Sequence, residues 1–323
     1  MSALSLSIII VAKNEEAYIG RTLDMVFAQG IDKEYEVIVI DSGSKDSTLK
    51  IAKRYPVKII EIPPQDFNHG RTRNLGAQTA SGVIAVFLNA DATPGDEKWL
   101  KNLAVNFEND EKIMGVYSCS YPRDGCVPLR HWEILKENSG KRLVKYIGDF
   151  GGCYQHMNPR GKRRLLDFQT ISCAIRRDFL LRHPFYDMDF GEDLEWSKRV
   201  IEKGFKIVFE PRSRVLHSHN FYNSFIRTFK KYFDDSRLNH QLLNMWTWRD
   251  FPILFGHIAY KISKDSFCIL GSDKGAFYKI RWLFYSPVIR FAEFLGTITG
   301  ANSSYLPSKL NCRFSLVNEI KGS

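Results

Sequence analysis

The sequence predicts an α/β protein with a mostly parallel, Rossmann-like sheet and a helical C-terminal extension. Three observations carry this. Through the first half, short apolar runs alternate with amphipathic segments. The runs are continuous rather than alternating, the mark of strands covered on both faces. Beyond residue 221 the strand signals stop, and the chain turns aromatic and basic with helical spacing.

The elements follow in order. Leu6 to Ala12 reads as a buried strand. Asn14 is placed to cap the next helix, with Glu15 and Glu16 at its positive end, and Leu23, Val26 and Phe27 share a helical face. Tyr35 to Ile40 is a second strand, ended by Asp41-Ser42-Gly43-Ser44. A helix over 47–55 leads to a third strand over 57–62, stopped by Pro63-Pro64. A helix over 69–80 and a strand over 83–88 complete a β-α-β-α-β-α-β unit. A helix over 97–107 and a strand over 113–120 follow, and then the pattern breaks. Residues 121–166 are rich in Gly, Pro and basic residues. Strands are expected over 168–175, 206–209 and 214–217, and a helix over 192–203 closed by Gly204. This divides the chain into a domain over 1–220, with halves over 1–118 and 119–220, and a helical extension over 221–323.

Composition narrows the function. A hydrophobic fraction of 44% with 25% charged residues excludes wholesale disorder. Residues 1–118 hold 13 Lys+Arg against 16 Asp+Glu, whereas residues 119–323 hold 33 against 20, so the formal surplus of +10 belongs to the second part. Such a surplus draws nucleic acid, anionic lipid or phosphorylated substrates. No recognisable nucleic-acid motif accompanies it. The six cysteines form no C-x-x-C pair and suit reduced thiols. No secretion signal and no run of 18 apolar residues is seen, so a cytoplasmic protein is expected.

In a parallel sheet, ligands bind beyond the carboxyl ends of the strands. Here those ends carry Lys13-Asn14-Glu15, Asp41-Ser42-Gly43 and Asn89-Ala90-Asp91, all polar and acid-containing. Asp41 at a strand end suits the imide N–H of a pyrimidine base, and Gly43 lets backbone approach a flat ring; an ordinary turn with Asp46 as a cap fits the same residues. Asp91 suits Mg²⁺ or Mn²⁺, hard cations that bridge phosphates, or a solvated turn. Glu192-Asp193 opens a helix, as helix-end charges or as a general base. His217-Ser218-His219 places both His217 and His219 on one face of a strand end, as metal or phosphate ligands or as surface histidines. Phe67-Asn68-His69-Gly70-Arg71-Thr72-Arg73-Asn74 sets two arginines and a His at a helix N-terminus. That arrangement suits a pyrophosphate, and a basic cap there would oppose the helix dipole.

In this order the residues resemble the family 2 glycosyltransferases of GT-A fold, the nucleotide-diphospho-sugar transferase fold. The resemblance runs from about Leu6 to His219. It rests on Val11-Ala12-Lys13-Asn14-Glu15, Asp41 to Thr48, Arg73-Asn74-Leu75-Gly76-Ala77, Phe87-Leu88-Asn89-Ala90-Asp91 and Gly191-Glu192-Asp193-Leu194-Glu195-Trp196. The His69-Gly70-x-Thr72-Arg73-Asn74 stretch and His217-Ser218-His219 look most like bacterial rhamnosyltransferases of polysaccharide and O-antigen assembly.

The resemblance implies an inverting enzyme that moves a sugar, rhamnose, from a dTDP- or UDP-sugar to a saccharide acceptor on a polyprenyl diphosphate. Asp193, beside Glu192, would take the acceptor proton. Asp41 would bind the base and Glu15 the nucleoside, and Ala12, Asn14, Ser42, Gly43, His69, Gly70, Arg73, Asn74, Asn89 and Ala90 would complete the donor site. Asp91, with His217 and His219, would hold Mg²⁺ or Mn²⁺, and Arg73 with the metal would stabilise the departing diphosphate. The family's acidic triplet usually begins with Asp; Asn89 takes that place here. The alternatives are a polyprenyl-phosphate glycosyltransferase, a catalytically dead scaffold of the same fold, and a basic nucleic-acid-binding protein.

The basic tail has two readings. Phe221, Phe225, Phe229 and Phe233 recur every fourth residue, as a helix face packed on the catalytic domain would. From Trp246 through Trp248 to Phe294, aromatics among Lys and Arg suit peripheral contact with an anionic membrane, the inner face of a bacterial plasma membrane.

Overall fold

The computed structural model describes residues 5–138, 140–150, 154–188, 190–218, 221–246 and 250–316. The expectations for His219 and Trp248 lie outside the described residues. The chain forms two compact units. The first comprises residues 1–121, 138–157 and 164–217; the second comprises 122–137, 158–163 and 218–323.

The first unit runs β1 (Leu6–Ala12), α1 (Ile19–Phe27), β2 (Tyr35–Asp41), α2 (Thr48–Ala52), β3 (Lys58–Glu61), α3 (His69–Thr79), β4 (Ile84–Asn89), β5 (Thr93–Pro94), α4 (Trp99–Ala104) and β6 (Ile113–Tyr121). In the second unit lies α5 (Pro128–Glu137). After it come β7 (Leu143–Lys145), α6 (Pro159–Leu165), β8 (Ser172–Arg176), α7 (Arg177–Arg182), α8 (Glu192–Glu202) and β9 (Lys206–Leu216). The second unit then continues with α9 (Phe225–Leu243), α10 (Phe251–Leu270), α11 (Ala276–Ala301) and α12 (Ser308–Phe314).

The sheet order is β3-β2-β1-β4-β8-β6-β9-β5, with β7 beside β9. The first four strands are parallel, as the continuous apolar runs predict. The rest of the sheet is mixed: β8 runs antiparallel to both β4 and β6, and β6 runs parallel to β9. Both faces are covered. On one, Ile8, Ile10, Val37, Val39, Val86 and Leu88 join Leu23 and Val26 of α1 and Trp99 and Leu103 of α4 in a single core. On the other, Ile9 and Ile40 meet α3 at Gly76. A Cβ there would come within 2.5 Å of Ile9 Cγ2, so glycine sets how closely α3 lies on the sheet.

Several expected bounds move. The strand expected over 168–175 begins at Ser172, because Phe168 is a ring in the aromatic core with Tyr117 and Trp196. The two short strands expected after residue 206 are one strand, β9, whose register against β6 shifts between Ser118 and Cys119 to absorb the break. Asn14 does not cap α1. That helix starts at Ile19, and Asn14 adopts a left-handed φ of 54°.

In the second unit, the Phe stripe of α9 packs on α11 and α12. Phe229 and Phe233 meet the ring of Phe314 at 5.2 and 5.7 Å. Gly296 and Gly300 of α11 lie against the carbonyl oxygens of Phe229 and Phe233, where a Cβ would overlap. Among the described residues, no helix is long and apolar enough to cross a membrane.

Candidate active site

Parallel pairing does most of the assembly. The register sets Ala12 beside Asp41 and Val11 beside Asn89, so the ends of β2, β1 and β4 form one row. The predicted residues on those ends are therefore brought together. Ser42 donates from its backbone N–H and its hydroxyl to Ala12 O at 3.0 and 3.2 Å. Ala90 donates to Val11 O at 3.0 Å, and its methyl lies in the core.

The two loops beyond β1 and β2 are laced to each other. Asn14 N–H donates to Ser44 Oγ at 2.8 Å, and Asn14 Oδ1 accepts from Lys45 N at 2.8 Å. Glu15 N–H donates to Thr48 Oγ1 at 2.7 Å. Glu16 N–H donates to Asp46 Oδ2, while Glu16 Oε2 accepts from Ser47 N. Asp41 is buried, and its Oδ1 accepts from the N–H groups of Gly43 and Ser44 at 2.9 and 2.8 Å. Gly43 has a φ of 83°, and a Cβ on it would lie 2.5 Å from the Pro64 ring. Local strain and steric contact both require glycine there. The Ser44 hydroxyl donates to Asp41 Oδ2 at 2.5 Å, so the carboxylate is fixed at the floor of the turn with one of its about four lone pairs left for a further donor.

The α3 stretch caps its own N-terminus. Asn68 is the N-cap, and its Oδ1 accepts from Gly70 N and Arg71 N at 3.0 and 3.1 Å. Its Nδ2 donates to Met188 O at 2.8 Å. The capping signature, Asn one residue before a helix, was present in the sequence. These N–H groups are therefore occupied by the chain itself rather than open to a pyrophosphate. Gly70 faces the backbone of Tyr186, and the Asn74 amide exchanges hydrogen bonds with the Phe185 backbone at 2.8 and 3.1 Å. Arg71 forms an exposed ion pair with Asp187.

Arg73 points inward. Its Nη1 meets Glu192 Oε1 at 2.6 Å, and its Nη2 donates to Asn89 Oδ1 at 3.3 Å. Both partners of the ion pair are buried. Arg73 Nε has no hydrogen-bond partner among the described residues. His69 lies near this pair. Burial pushes its pKa below the usual histidine value, Glu192 pulls it back, and Arg73 adds to the depression.

Gly191, at φ 79°, turns the chain into α8, whose first turn holds Glu192, Asp193 and Glu195. Glu192 faces Arg73, while Asp193 is half-buried and accepts from Leu194 N at 2.8 Å. Glu195 is taken up by Arg199 at 2.8 Å. The burial of Cys173 on β8 raises its thiol pKa, with Asp193 and Glu192 adding to the rise and Arg73 opposing it.

Asp91 and His217 meet: Asp91 Oδ2 is 3.4 Å from His217 Nε2. The β5–β9 pairing, Thr93 opposite Leu216, closes this contact between residues far apart in sequence. Among the described residues, no group of three or more His, Cys, Asp or Glu could hold a metal ion. One carboxylate and one imidazole nevertheless fit Mg²⁺ or Mn²⁺, which are commonly held by one or two protein groups with substrate phosphates completing the shell. A separate cleft of about 550 Å³, lined by Arg71, Asn74, Leu180 and Pro184 among others, includes neither Asp41, Asp91 nor Asp193.

Comparison with known proteins gives the family and the fold. Residues 7–185 match the model of glycosyl transferase family 2. The chain is 29% identical over 315 residues to the O-antigen chain rhamnosyltransferase RfbN of Salmonella typhimurium, covering 96% of this chain and 94% of that one. It is 28% identical over 290 residues to the O-antigen chain rhamnosyltransferase WbaN of Salmonella anatum, covering 89% and 86%. Among solved structures it resembles residues 1–349 of TarS from S. aureus (TM-score 0.53, 16% identity, 93% of this chain and 91% of that one). It also resembles the mannosyltransferase PcManGT of Pyrobaculum calidifontis, solved with GDP-Man and Mn²⁺ (TM-score 0.51, 16% identity, 98% and 84%). These likenesses establish the GT-A fold. A sheet whose strand ends gather Asp41, Asn89, Asp91 and His217, together with the family match over more than half its length, shows that the chain belongs to glycosyl transferase family 2 and is a glycosyltransferase.

Proposed function

We propose that this glycosyltransferase moves rhamnose, with inversion, from a dTDP- or UDP-sugar to a saccharide carried on a polyprenyl diphosphate, at the inner face of a bacterial plasma membrane. The observation that carries the reading is the row at the strand ends. Asp41 stands at the end of β2, level with Ala12, while the Asp91–His217 pair follows β4. A base, a diphosphate and a sugar bound in one ligand need a pyrimidine acceptor and a phosphate subsite of this kind in sequence. The choice of rhamnose is supported by the two O-antigen rhamnosyltransferases, which align over most of this chain.

The chemistry divides among named residues. Asp41 accepts the imide N–H of the base, held by Gly43 and Ser44. A Mg²⁺ or Mn²⁺ on Asp91 and His217 supplies positive charge to the diphosphate when bound. The acceptor hydroxyl oxygen attacks the anomeric carbon as its proton passes to Asp193. The bond from that carbon to the diphosphate breaks, and the electron pair leaves with the diphosphate. One general base suffices, because this leaving group departs as an anion without being protonated. Arg73, engaged by Glu192 and Asn89, acts as a positioning residue that fixes the start of α8 against the end of β4.

Incubation with dTDP-rhamnose, other nucleotide sugars and a panel of lipid-linked saccharides tests this. Release of dTDP or UDP that requires acceptor and vanishes in Asp193→Ala is expected, as is inversion at the anomeric carbon by NMR of the product. Release unaffected by Asp193→Ala would overturn the assignment of the base. Transfer to a bare polyprenyl monophosphate instead of a saccharide would favour the polyprenyl-phosphate reading.

A further inference from the structure

The packed side of α10 and α11 holds a charged cluster beside apolar Ile269, Trp282 and Ile289. Arg290 is fully buried; its Nε and Nη2 meet the two Asp265 oxygens at 2.8 Å each, and its Nη1 meets Glu293 at 2.7 Å and Glu133 at 2.9 Å. Lys261 closes the cluster on Glu293 and Glu133 at 2.6 and 2.9 Å. Charged groups thus occupy the interior of the unit, each one paired.

The outer face is apolar. Phe277, Ile280, Phe284, Val288 and Phe291 line one side of α11 at three- and four-residue steps, a stripe of about 21 Å at about 1.5 Å per residue. Phe277 and Phe284 are 83% and 79% exposed, and on α10 Phe267 is 74% exposed. The rings of Phe251, Phe255 and Phe291 all meet Phe294, which joins the exposed faces of the two helices. A helix that faces water normally shows the reverse pattern, and contiguous exposed apolar surface of this kind marks a contact site.

Charge selects the partner. Counted over the sequence, the first unit holds 26 Lys+Arg against 26 Asp+Glu, and the second holds 20 against 10. The whole formal surplus of +10 therefore sits on the unit that carries the apolar face. Lys264 stands by Tyr260 and Phe267, Arg281 by Trp282, and Lys274 in the turn between the helices. Between residues 251 and 291, Asp273 is the single exposed acid. A second copy of the chain docked face to face would bring like charges together, whereas anionic headgroups neutralise them.

We propose that the outer face of α10 and α11 lies in the headgroup and upper acyl region of an anionic bilayer, with the aromatics inserted and the lysines at the phosphates. Neither helix is apolar enough to span, so the contact is interfacial. This inference deepens the membrane placement proposed above. Its test reads lipid binding rather than sugar transfer, so the two fail separately.

The test is co-sedimentation of the full chain with phosphatidylcholine vesicles, with and without phosphatidylglycerol. Binding to the phosphatidylglycerol vesicles is expected, with a loss of about fivefold for each of Lys264→Gln and Lys274→Gln. Phe277→Ser combined with Phe284→Ser is expected to lower binding at least about tenfold at an unchanged melting temperature, because both rings already face solvent. The proposal is overturned if the wild-type chain stays in the supernatant with anionic vesicles, or if the double variant binds as well as the wild type. It is equally overturned if sedimentation equilibrium finds, in place of vesicle binding, a dimer that the double variant dissolves.

Discussion

Arg73 and Glu192 stand 119 residues apart in sequence and 2.6 Å apart in space, both buried. The pair joins α3 to the first turn of α8, and the other terminal nitrogen of Arg73 reaches Asn89 at the end of β4. One guanidinium therefore ties together three segments that carry candidate site residues. With Glu192 already balancing Arg73, a neutral Asn89 leaves the local charge even, which gives a physical reason for Asn at the first place of the triplet.

Removing one partner leaves the other charge buried and alone. Arg73→Met or Glu192→Leu should each cost about 3–5 kcal/mol, and the double variant should be less destabilised than either single one. Urea denaturation of the four proteins measures this. Strictly additive losses would show that the pair is not a unit.

Asp193 faces a different test, because it stands in the first turn of α8 and is less buried than Glu192 beside it. Asp193→Asn should lower kcat by about 10²–10⁴ while KM for the donor stays near the wild-type value. Steady-state kinetics at saturating acceptor measure both. A raised donor KM with kcat intact would make Asp193 a binding group instead.

The Asp91–His217 contact predicts a shared dependence on metal. Asp91→Asn and His217→Ala should each raise the half-saturating Mn²⁺ concentration by about tenfold or more. Paramagnetic resonance titration of Mn²⁺ in the presence of UDP gives a reading independent of turnover. Unchanged Mn²⁺ affinity in both variants would remove this pair as the metal site.

His69 makes stability depend on pH. Burial holds its pKa below the free value of about 6.5. As pH falls, the unfolded chain takes up this proton before the folded one does, so stability decreases from about pH 7.5 toward pH 5. His183 and His257 shift in the same direction. His69→Gln should therefore reduce, without abolishing, the fall in melting temperature across that range. Parallel curves for the variant and the wild type would count against a buried neutral His69.

The local parts of the site were legible in the sequence. Strands β1, β2 and β4 announced themselves through continuous apolar runs, and their polar ends followed at once. The resemblance then supplied roles for Asp41, Asp91 and Asp193. The occupied N-terminus of α3 was also readable, since Asn68 is a strong capping residue, but the basic residues after it drew attention to a phosphate instead. The long β9 was not readable, because Pro211 and the polar residues around it look like a break, and only pairing with β6 on a shifted register carries the strand through.

The sequence by itself determined the parallel βα repeat, the row of polar strand ends and the basic, aromatic tail. These depend on patterns within a few residues, where hydrogen bonding and side-chain periodicity are local. The tertiary structure decided which distant groups meet: Arg73 with Glu192 and Asn89, Asp91 with His217, and Arg290 with Asp265 and Glu133. It also decided that α10 and α11 bury Asp265, Arg290 and Glu293 while Phe267, Phe277 and Phe284 stay exposed. Periodicity defines the two faces of a helix, but only the paired charges it meets across the fold settle which face is buried.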